Sequence, residues 1–484
     1  MLKKDSLTKN FVFQFLYQVV AMVIPLILSP YLTRTLQETS LGIYSYVNSI
    51  AYYFVVFANL GISRHGQRII AQNRDNEIRL RKSFWSLFAI HTIISVLTTF
   101  VYIVFILVFV KQDRVVYYIE ILYVLSALFD ITWLFYGLEN FKSVVIKNLV
   151  IKIVQCCMIF VLVHDVSDLG IYTFICAGSI LAGQVVMIPQ AIKLVKPIKF
   201  ELTDLKVHLK PLIVFAIAII ASTLYTTFDM TLLGLMSTKE NVAFYNYANQ
   251  IISVPRTVVG VIGTVMFPRA CKLAAEGDIY GQKKYIGYST IFTAIIGFGS
   301  IFALLAISNL FAVLYYGEAF AICGPIMMAL SPLVYIVGLG DIVRTQYMIP
   351  NGMDKEYIIC IVLNAIVNLI LTIILIPVLG IYGAVIGTIS AECFGLIYQL
   401  VLCRKSIAIK DMINLSIPYI VIGFFMYLAM KASSILLPYN VIGFISEVLI
   451  GMIVFGSLLL LYLYRFKKEF VKLVLWEIRN RFKR

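Results

Sequence analysis

The chain has 484 residues, of which 61% are hydrophobic and 13% charged, with a mean hydropathy of +0.93 and a formal net charge of +15. So few polar groups cannot cover a water-exposed surface, which excludes a soluble globular protein. The basic excess does not mark a nucleic-acid binder either, because of where it falls along the chain.

Apolar runs of about 20 residues recur over the whole length, enough for a helix to cross ~30 Å of hydrocarbon, whereas barrel strands would alternate over about ten. The expected fold class is therefore an all-α integral membrane protein with about fourteen spans. They lie near 11–33, 41–62, 84–110, 115–137, 143–163, 171–189, 211–236, 242–266, 285–312, 319–340, 357–377, 381–403, 412–435 and 442–464. With the amino terminus inside, all but Arg34, Lys111, Arg114, Lys239, Arg256 and Lys431 of the 40 Lys and Arg residues fall at the cytoplasmic side. That asymmetry predicts both termini in the cytoplasm and a basic inner surface against anionic lipid.

The first run follows Lys3, Lys4 and Lys9 and carries Pro25 and Pro30. It is too long for a signal peptide and has no small-residue cleavage site, so a retained helix is expected. The second opens on Gly42-Ile43-Tyr44-Ser45-Tyr46-Val47-Asn48, and the mixed-charge stretch 64–82 after it reads as amphipathic, lying on the inner surface. His91 in the third span reads as a hydrogen-bonded histidine. Asp130 sits roughly two turns inside the fourth, where a charge needs a cavity or a partner. The eight cysteines fall almost entirely within spans and read as small apolar residues, not disulfides or metal ligands.

The interval 190–210 carries five lysines and reads as a joint between halves. Beyond it the seventh span holds Asp229, and the eighth opens on Ala243-Phe244-Tyr245-Asn246-Tyr247-Ala248-Asn249. Tyr-x-Tyr-x-Asn thus recurs 201 positions on, and Arg68 and Arg269 close the two runs at the same offset. Asp130-Ile131 is answered by Asp341-Ile342, and Gly170-Ile171-Tyr172 by Gly380-Ile381-Tyr382. The markers keep their order, which predicts a tandem repeat: an N-lobe over 1–200, a C-lobe over 201–410, and unrepeated helices and tail over 411–484. Gly380, Gly383 and Gly387 predict a tight turn and close packing of the eleventh and twelfth spans. The tail from Arg465 to Arg484 reads as an interfacial basic helix.

Arg256, in Ser253-Val254-Pro255-Arg256-Thr257, falls near the middle of the eighth span, where an uncompensated arginine costs at least about 2.5–3.5 kcal/mol. It must meet water, an anion or a carboxylate, and Asp229 and Glu392 are the carboxylates considered for a structural pair. The chain has no Gly-x-x-x-x-Gly-Lys-[Ser/Thr] loop, no His-Glu-x-x-His and no nucleophile elbow. No enzyme activity and no cofactor are expected, and energy would come from an H+ or Na+ gradient or from consumption of the product.

The block from Asp130 through Trp133, Gly137, Leu138, Glu139 and Phe141 to Lys142, the block Pro377–Ala384 followed by Glu392, and the two Tyr-x-Tyr blocks resemble one family. It is the polysaccharide (lipid-linked oligosaccharide) flippases of the multidrug/oligosaccharidyl-lipid/polysaccharide exporter superfamily, and the resemblance covers about residues 10–405. It implies two six-helix lobes in a V around a central cavity, plus two extra helices. It also implies alternating access, moving undecaprenyl-diphosphate-linked oligosaccharide repeat units from the inner to the outer leaflet of the bacterial cytoplasmic membrane, for capsule, O-antigen or a similar polymer. The implied partners are that lipid-linked oligosaccharide and the polymerase and glycosyltransferases of the same pathway.

On this expectation Arg256 anchors the diphosphate through its planar fork, and Arg34 and Arg64 extend a positive path. Asn48, Asn249, Tyr44 and Tyr245 line the cavity or bond helix to helix, Asp229, Asp130 and Glu392 are candidates for a cation or proton relay, and Glu447 lies outside the path. A cation-coupled multidrug exporter of the same superfamily would prefer an acidic, aromatic cavity. A lipid II flippase shares the span count and a cationic cavity. A membrane glycosyltransferase or polymerase would need a sizeable outer loop, and every outer loop here is short.

Overall fold

The computed structural model describes residues 7–467, with side chains from residue 18 onward apart from some between 202 and 226. The basic tail expected over Arg465–Arg484 lies, from residue 468 on, outside the described residues. Those residues form helices only, joined by short turns. The first ten are α1 (Leu7–Thr35), α2 (Gln37–Asn59), α3 (Ile62–Asn73), α4 (Glu77–Phe109), α5 (Arg114–Ser126), α6 (Thr132–Gly137), α7 (Phe141–Leu162), α8 (Leu169–Val185), α9 (Ile188–Leu194) and α10 (Leu202–Met236). There follow α11 (Lys239–Ala275), α12 (Ile279–Tyr316), α13 (Cys323–Leu330), α14 (Leu333–Val343), α15 (Asp354–Leu379), α16 (Ile381–Cys403), α17 (Ile409–Ser434) and α18 (Val441–Phe466).

Contacts divide the chain into two compact units, Met1–Ala243 and Phe244–Arg484. In the first, the turn from α2 to α3 uses left-handed backbone at Leu60 and Gly61 (φ 32° and 74°). Of the stretch 64–82 expected to be amphipathic, residues 64–73 fall in α3, which buries Ile62, His65, Gly66 and Ile70 and leaves Arg64 exposed, and residues 77–82 form the start of α4. A Cβ on Gly66 would lie 2.6 Å from the Trp133 ring, so the glycine admits the indole to a core that includes Ile62, Ile70, Phe84, Leu87 and Phe135. α10 packs against α2, α3 and α4. The Thr231 hydroxyl lies 3.0 Å from that of Ser49 and 3.1 Å from that of Tyr53, and the Lys239 ammonium sits 3.2 Å above the Tyr46 ring while donating to the Gly234 carbonyl at 2.9 Å. The helix that opens the second sequence repeat therefore belongs, by contacts, with the first unit. A repeat in sequence and a division in contacts are separate properties, and the second does not move the boundary of the first.

Within the second unit α12 packs against α13, α14, α17 and α18, and α15 and α16 form the most extensive helix pair. The α15–α16 turn is where the glycine pattern pointed. Gly380 has φ 56° and ψ −130°, a conformation open to glycine alone. A Cβ on Gly383 would lie 2.5 Å from the Leu375 backbone, and one on Gly387 2.5 Å from the Thr372 hydroxyl oxygen. Since backbone cannot rotate away as a side chain can, Gly383→Val should destabilise the protein by about 1–3 kcal/mol. A lower melting temperature in detergent is the expected reading, and a melt superimposed on the wild type would show that the helices do not approach this closely.

Two expected spans are not continuous helices. The fourth breaks between α5 and α6 through a 3-10 turn, Ala127–Phe129. The tenth is a bent pair, Glu318–Leu330 and Leu333–Met348, with 41° between its halves, and the break coincides with Ser331-Pro332, where a proline cannot continue the backbone ladder. Its second half ends in a π-helical turn, Arg344–Met348.

Among the described residues twelve helices are long and apolar enough to cross a membrane, thirteen if the bent pair is one span. The seventh expected span, 211–236, lies in α10, a helix of 35 residues of which only Thr227–Met236 enters this count, so the expected number of about fourteen is neither reached nor contradicted among the described residues.

Candidate functional site

Each unit carries a cluster of polar groups inside its spans, where hydrocarbon tolerates them only when they are paired or face a cavity. In the first unit the centre is Glu120 of α5, which is fully buried. One of its oxygens accepts from the Asn48 amide at 3.2 Å, and the other has no hydrogen-bond partner among the described residues. Tyr44, Tyr102 and Tyr123 lie within electrostatic reach of this carboxylate, and Tyr44 meets the Tyr172 ring of α8 edge-on at 4.8 Å. Asn48 therefore bonds helix to helix. Glu120 was missed in the sequence, although an acid within an apolar run is the same signal that singled out Asp130.

Asp130 itself sits at the break before α6. Its carboxylate accepts from the Thr132 amide at 3.0 Å and the Thr132 hydroxyl at 2.6 Å, and its carbonyl accepts from the Trp133 indole at 3.1 Å. It closes a local turn, satisfying the backbone amide and the hydroxyl of the first residue of α6. His91 differs from expectation: it is fully buried, and neither ring nitrogen has a hydrogen-bond partner among the described residues. Asp229 is buried in α10, and Glu447 is buried in α18. Arg34 is exposed at the end of α1, where it donates to the Pro30 carbonyl at 2.7 Å, and Arg64 is exposed on α3.

The second unit holds Arg256, half-buried in α11. Gly260 and Gly263 follow it at the i+4 and i+7 positions, on the same helix face. Having no side chains, they leave room for side chains of α14 and of the π-helical turn after it: a Cβ on Gly260 would lie 4.0 Å from an Asp341 carboxylate oxygen, and one on Gly263 3.2 Å from the Thr345 hydroxyl oxygen. Arg256 thus stands one helical turn from the Asp341 contact. Asp341 is ion-paired with Arg344, whose side chain is only 18% exposed. Glu392, buried in α16, acts electrostatically on Arg344 as well. Arg256 makes no ion pair with a described carboxylate of its own unit, so the pairing with Glu392 considered from the sequence is not realised there.

Tyr245 reaches across to α16, its hydroxyl 3.0 Å from that of Thr388. Asn249, one turn further along α11, is half-buried. The sequence reading missed Arg344, because it ended the tenth span at residue 340 whereas the helical path runs to Met348. No group of three residues suited to a metal ion occurs among the described residues.

The fold and these clusters define a class, a multi-pass helical membrane protein with charged groups held inside its spans. The family of polysaccharide biosynthesis proteins matches residues 7–274, and the chain belongs to it. It is 25% identical over 396 residues to the "Putative O-antigen transporter" of Shigella dysenteriae, covering 81% of this chain and 98% of that one. It is 22% identical over 408 residues to the protein of the same name from Escherichia coli (strain K12), covering 83% and 98%. Among solved structures it resembles the lipid II flippase MurJ in an inward closed conformation, with a TM-score of 0.69 at 16% identity, over 94% of this chain and 99% of the other. It also resembles a multidrug resistance MATE family transporter of the MOP superfamily in its inward-facing conformation, with a TM-score of 0.57 at 14% identity, over 83% and 95%. Those two likenesses establish a shared fold.

Proposed function

We propose that the chain is a flippase that carries polyprenyl-diphosphate-linked oligosaccharide repeat units across the bacterial cytoplasmic membrane by alternating access. The observation that carries this reading is similarity to named O-antigen transporters along 98% of their length. Intramembrane arginine supports it. Arg256 lies in an apolar helix without an ion pair in its own unit, and a diphosphate offers such a guanidinium a bidentate, doubly charged partner. We propose no catalytic step. The buried carboxylates Glu120, Asp229 and Glu392 are candidates for coupling transport to an H+ or Na+ gradient, because a protonatable group in hydrocarbon changes its interactions with each ion it binds.

The test is reconstitution of the full chain into proteoliposomes loaded with a polyprenyl-diphosphate oligosaccharide in one leaflet. Transfer of the sugar to the other leaflet, read by accessibility to an added glycosidase, is the expected result. Export of a cationic dye with no movement of the lipid would place the protein with multidrug exporters instead, and movement of lipid II alone would place it with the peptidoglycan flippases.

The proposed orientation, with both termini cytoplasmic, has its own check. In a background lacking the eight native cysteines, cysteines at Glu77 and Lys206 should be shielded from an impermeant thiol reagent in intact cells. Those at Ser167 and Thr238 should be labelled. All four positions are exposed, so burial does not confound the result, and the reverse pattern would invert the direction of transport.

A further inference from the structure

We propose that a cavity where α12, α17 and α18 meet at their ends binds the headgroup of an anionic phospholipid from the surrounding bilayer. The cavity measures about 700 Å³. Lys283 and Lys284 enter it from the first turns of α12, and Arg465 and Lys467 from the end of α18. The lining carboxylate is Asp411, near the start of α17, so four cations face one acid. None of the four is ion-paired among the described residues. Uncompensated positive charge gathered on three helices is the complement of a phosphate-bearing headgroup.

The position commits the site to a lipid and not to a soluble anion. Three membrane-length helices start or end here, which puts the cavity at the level of the headgroups. Tyr280, 80% exposed on its rim, is the kind of side chain that settles at that level. The floor is apolar, made of Ile286, Ile291, Met412 and Leu415. One turn further along α12, from Ile295 to Ile307, a second cavity of about 240 Å³ opens, lined by apolar groups that include Met426 of α17 and Phe455 of α18. A headgroup among the cations and an acyl chain along α12 would fill both spaces, whereas a free phosphate would leave the apolar floor bare. This inference is independent of what the protein transports.

The experiment uses the full chain, purified in detergent and titrated with phosphatidylglycerol or phosphatidylcholine while bound lipid is counted by native mass spectrometry. The wild type should retain phosphatidylglycerol over phosphatidylcholine. The triple variant Lys283→Gln/Lys284→Gln/Arg465→Gln should lose that preference at least tenfold, since each basic group near the surface contributes about 1 kcal/mol toward an anionic lipid and about 1.4 kcal/mol is tenfold. A control, Lys196→Gln/Lys199→Gln in the first unit, should keep it. Glycerol phosphate, the soluble headgroup, should not compete at equal concentration. An unchanged preference in the triple variant, an equal loss in the control, or full competition by glycerol phosphate would each overturn the proposal. A melting temperature of the triple variant within a few degrees of the wild type guards against misfolding; if it falls further, the single variant Lys284→Gln is read in its place, with the same preference expected to fall several-fold.

Discussion

Arg256→Ala should reduce polysaccharide export about thirtyfold or more, with the protein still present in the membrane at near wild-type level. The size follows from truncating one partner of a charge pair out of water, which costs about 2–5 kcal/mol, at about 1.4 kcal/mol per factor of ten. In a medium of low dielectric the guanidinium and two phosphates attract far more strongly than they would at a surface. Arg256→Lys should recover part of the loss, because it keeps the charge but not the planar fork. The half-buried setting of Arg256, with no ion pair in its own unit, makes the level control informative. A side chain that holds up the fold would take the protein down with it, whereas one reserved for a ligand leaves the level intact. Normal export by a well-expressed Arg256→Ala variant would end the binding role.

The second large effect belongs to the pair the sequence did not reveal. Arg344→Met should leave Asp341 and Glu392 without their cation and destabilise the second unit by about 3 kcal/mol, the low end for a broken buried pair because the Asp341 side chain is 36% exposed. Adding Asp341→Asn should return much of the stability, since removing both members of a buried pair is close to neutral. Melting temperatures of the wild type, both single variants and the double variant form a cycle whose coupling term is the reading. If the double variant melts no higher than Arg344→Met, the ion pair is not what holds α14 to its π-helical end.

What was legible in the sequence follows from which physics is local. The all-helical, multi-span architecture was legible because hydrocarbon fixes both the length and the composition of a span. The α15–α16 turn was legible because only glycine fits a positive φ and a backbone approach. Arg256 stood out because an arginine within an apolar run has no innocuous surroundings. Arg344 did not, because the apolar run around it ends early and only the bend at Ser331-Pro332 and the π-helical turn carry the span to Met348. Asp130 reads as a buried charge in one dimension, but it stands at a break between a 3-10 turn and α6, where its carboxylate binds Thr132. The partner of Asn48 was equally out of reach, since Glu120 lies 72 positions away and their meeting is set by how α2 packs on α5.

The contact boundary after Ala243 bears on how the molecule is made. α10 and the first turn of α11 supply the hydroxyl of Thr231 to Ser49 and Tyr53, and the ammonium of Lys239 to the ring of Tyr46. A ribosome delivers α2 long before those partners, so for most of the synthesis of the first unit that face of α2 lacks its native neighbours. Those neighbours become available to α2 only once α10 and the start of α11 have been made. A messenger truncated after residue 200 would yield a product in which Ser49 and Tyr53 lack the Thr231 hydroxyl and Tyr46 lacks the Lys239 ammonium.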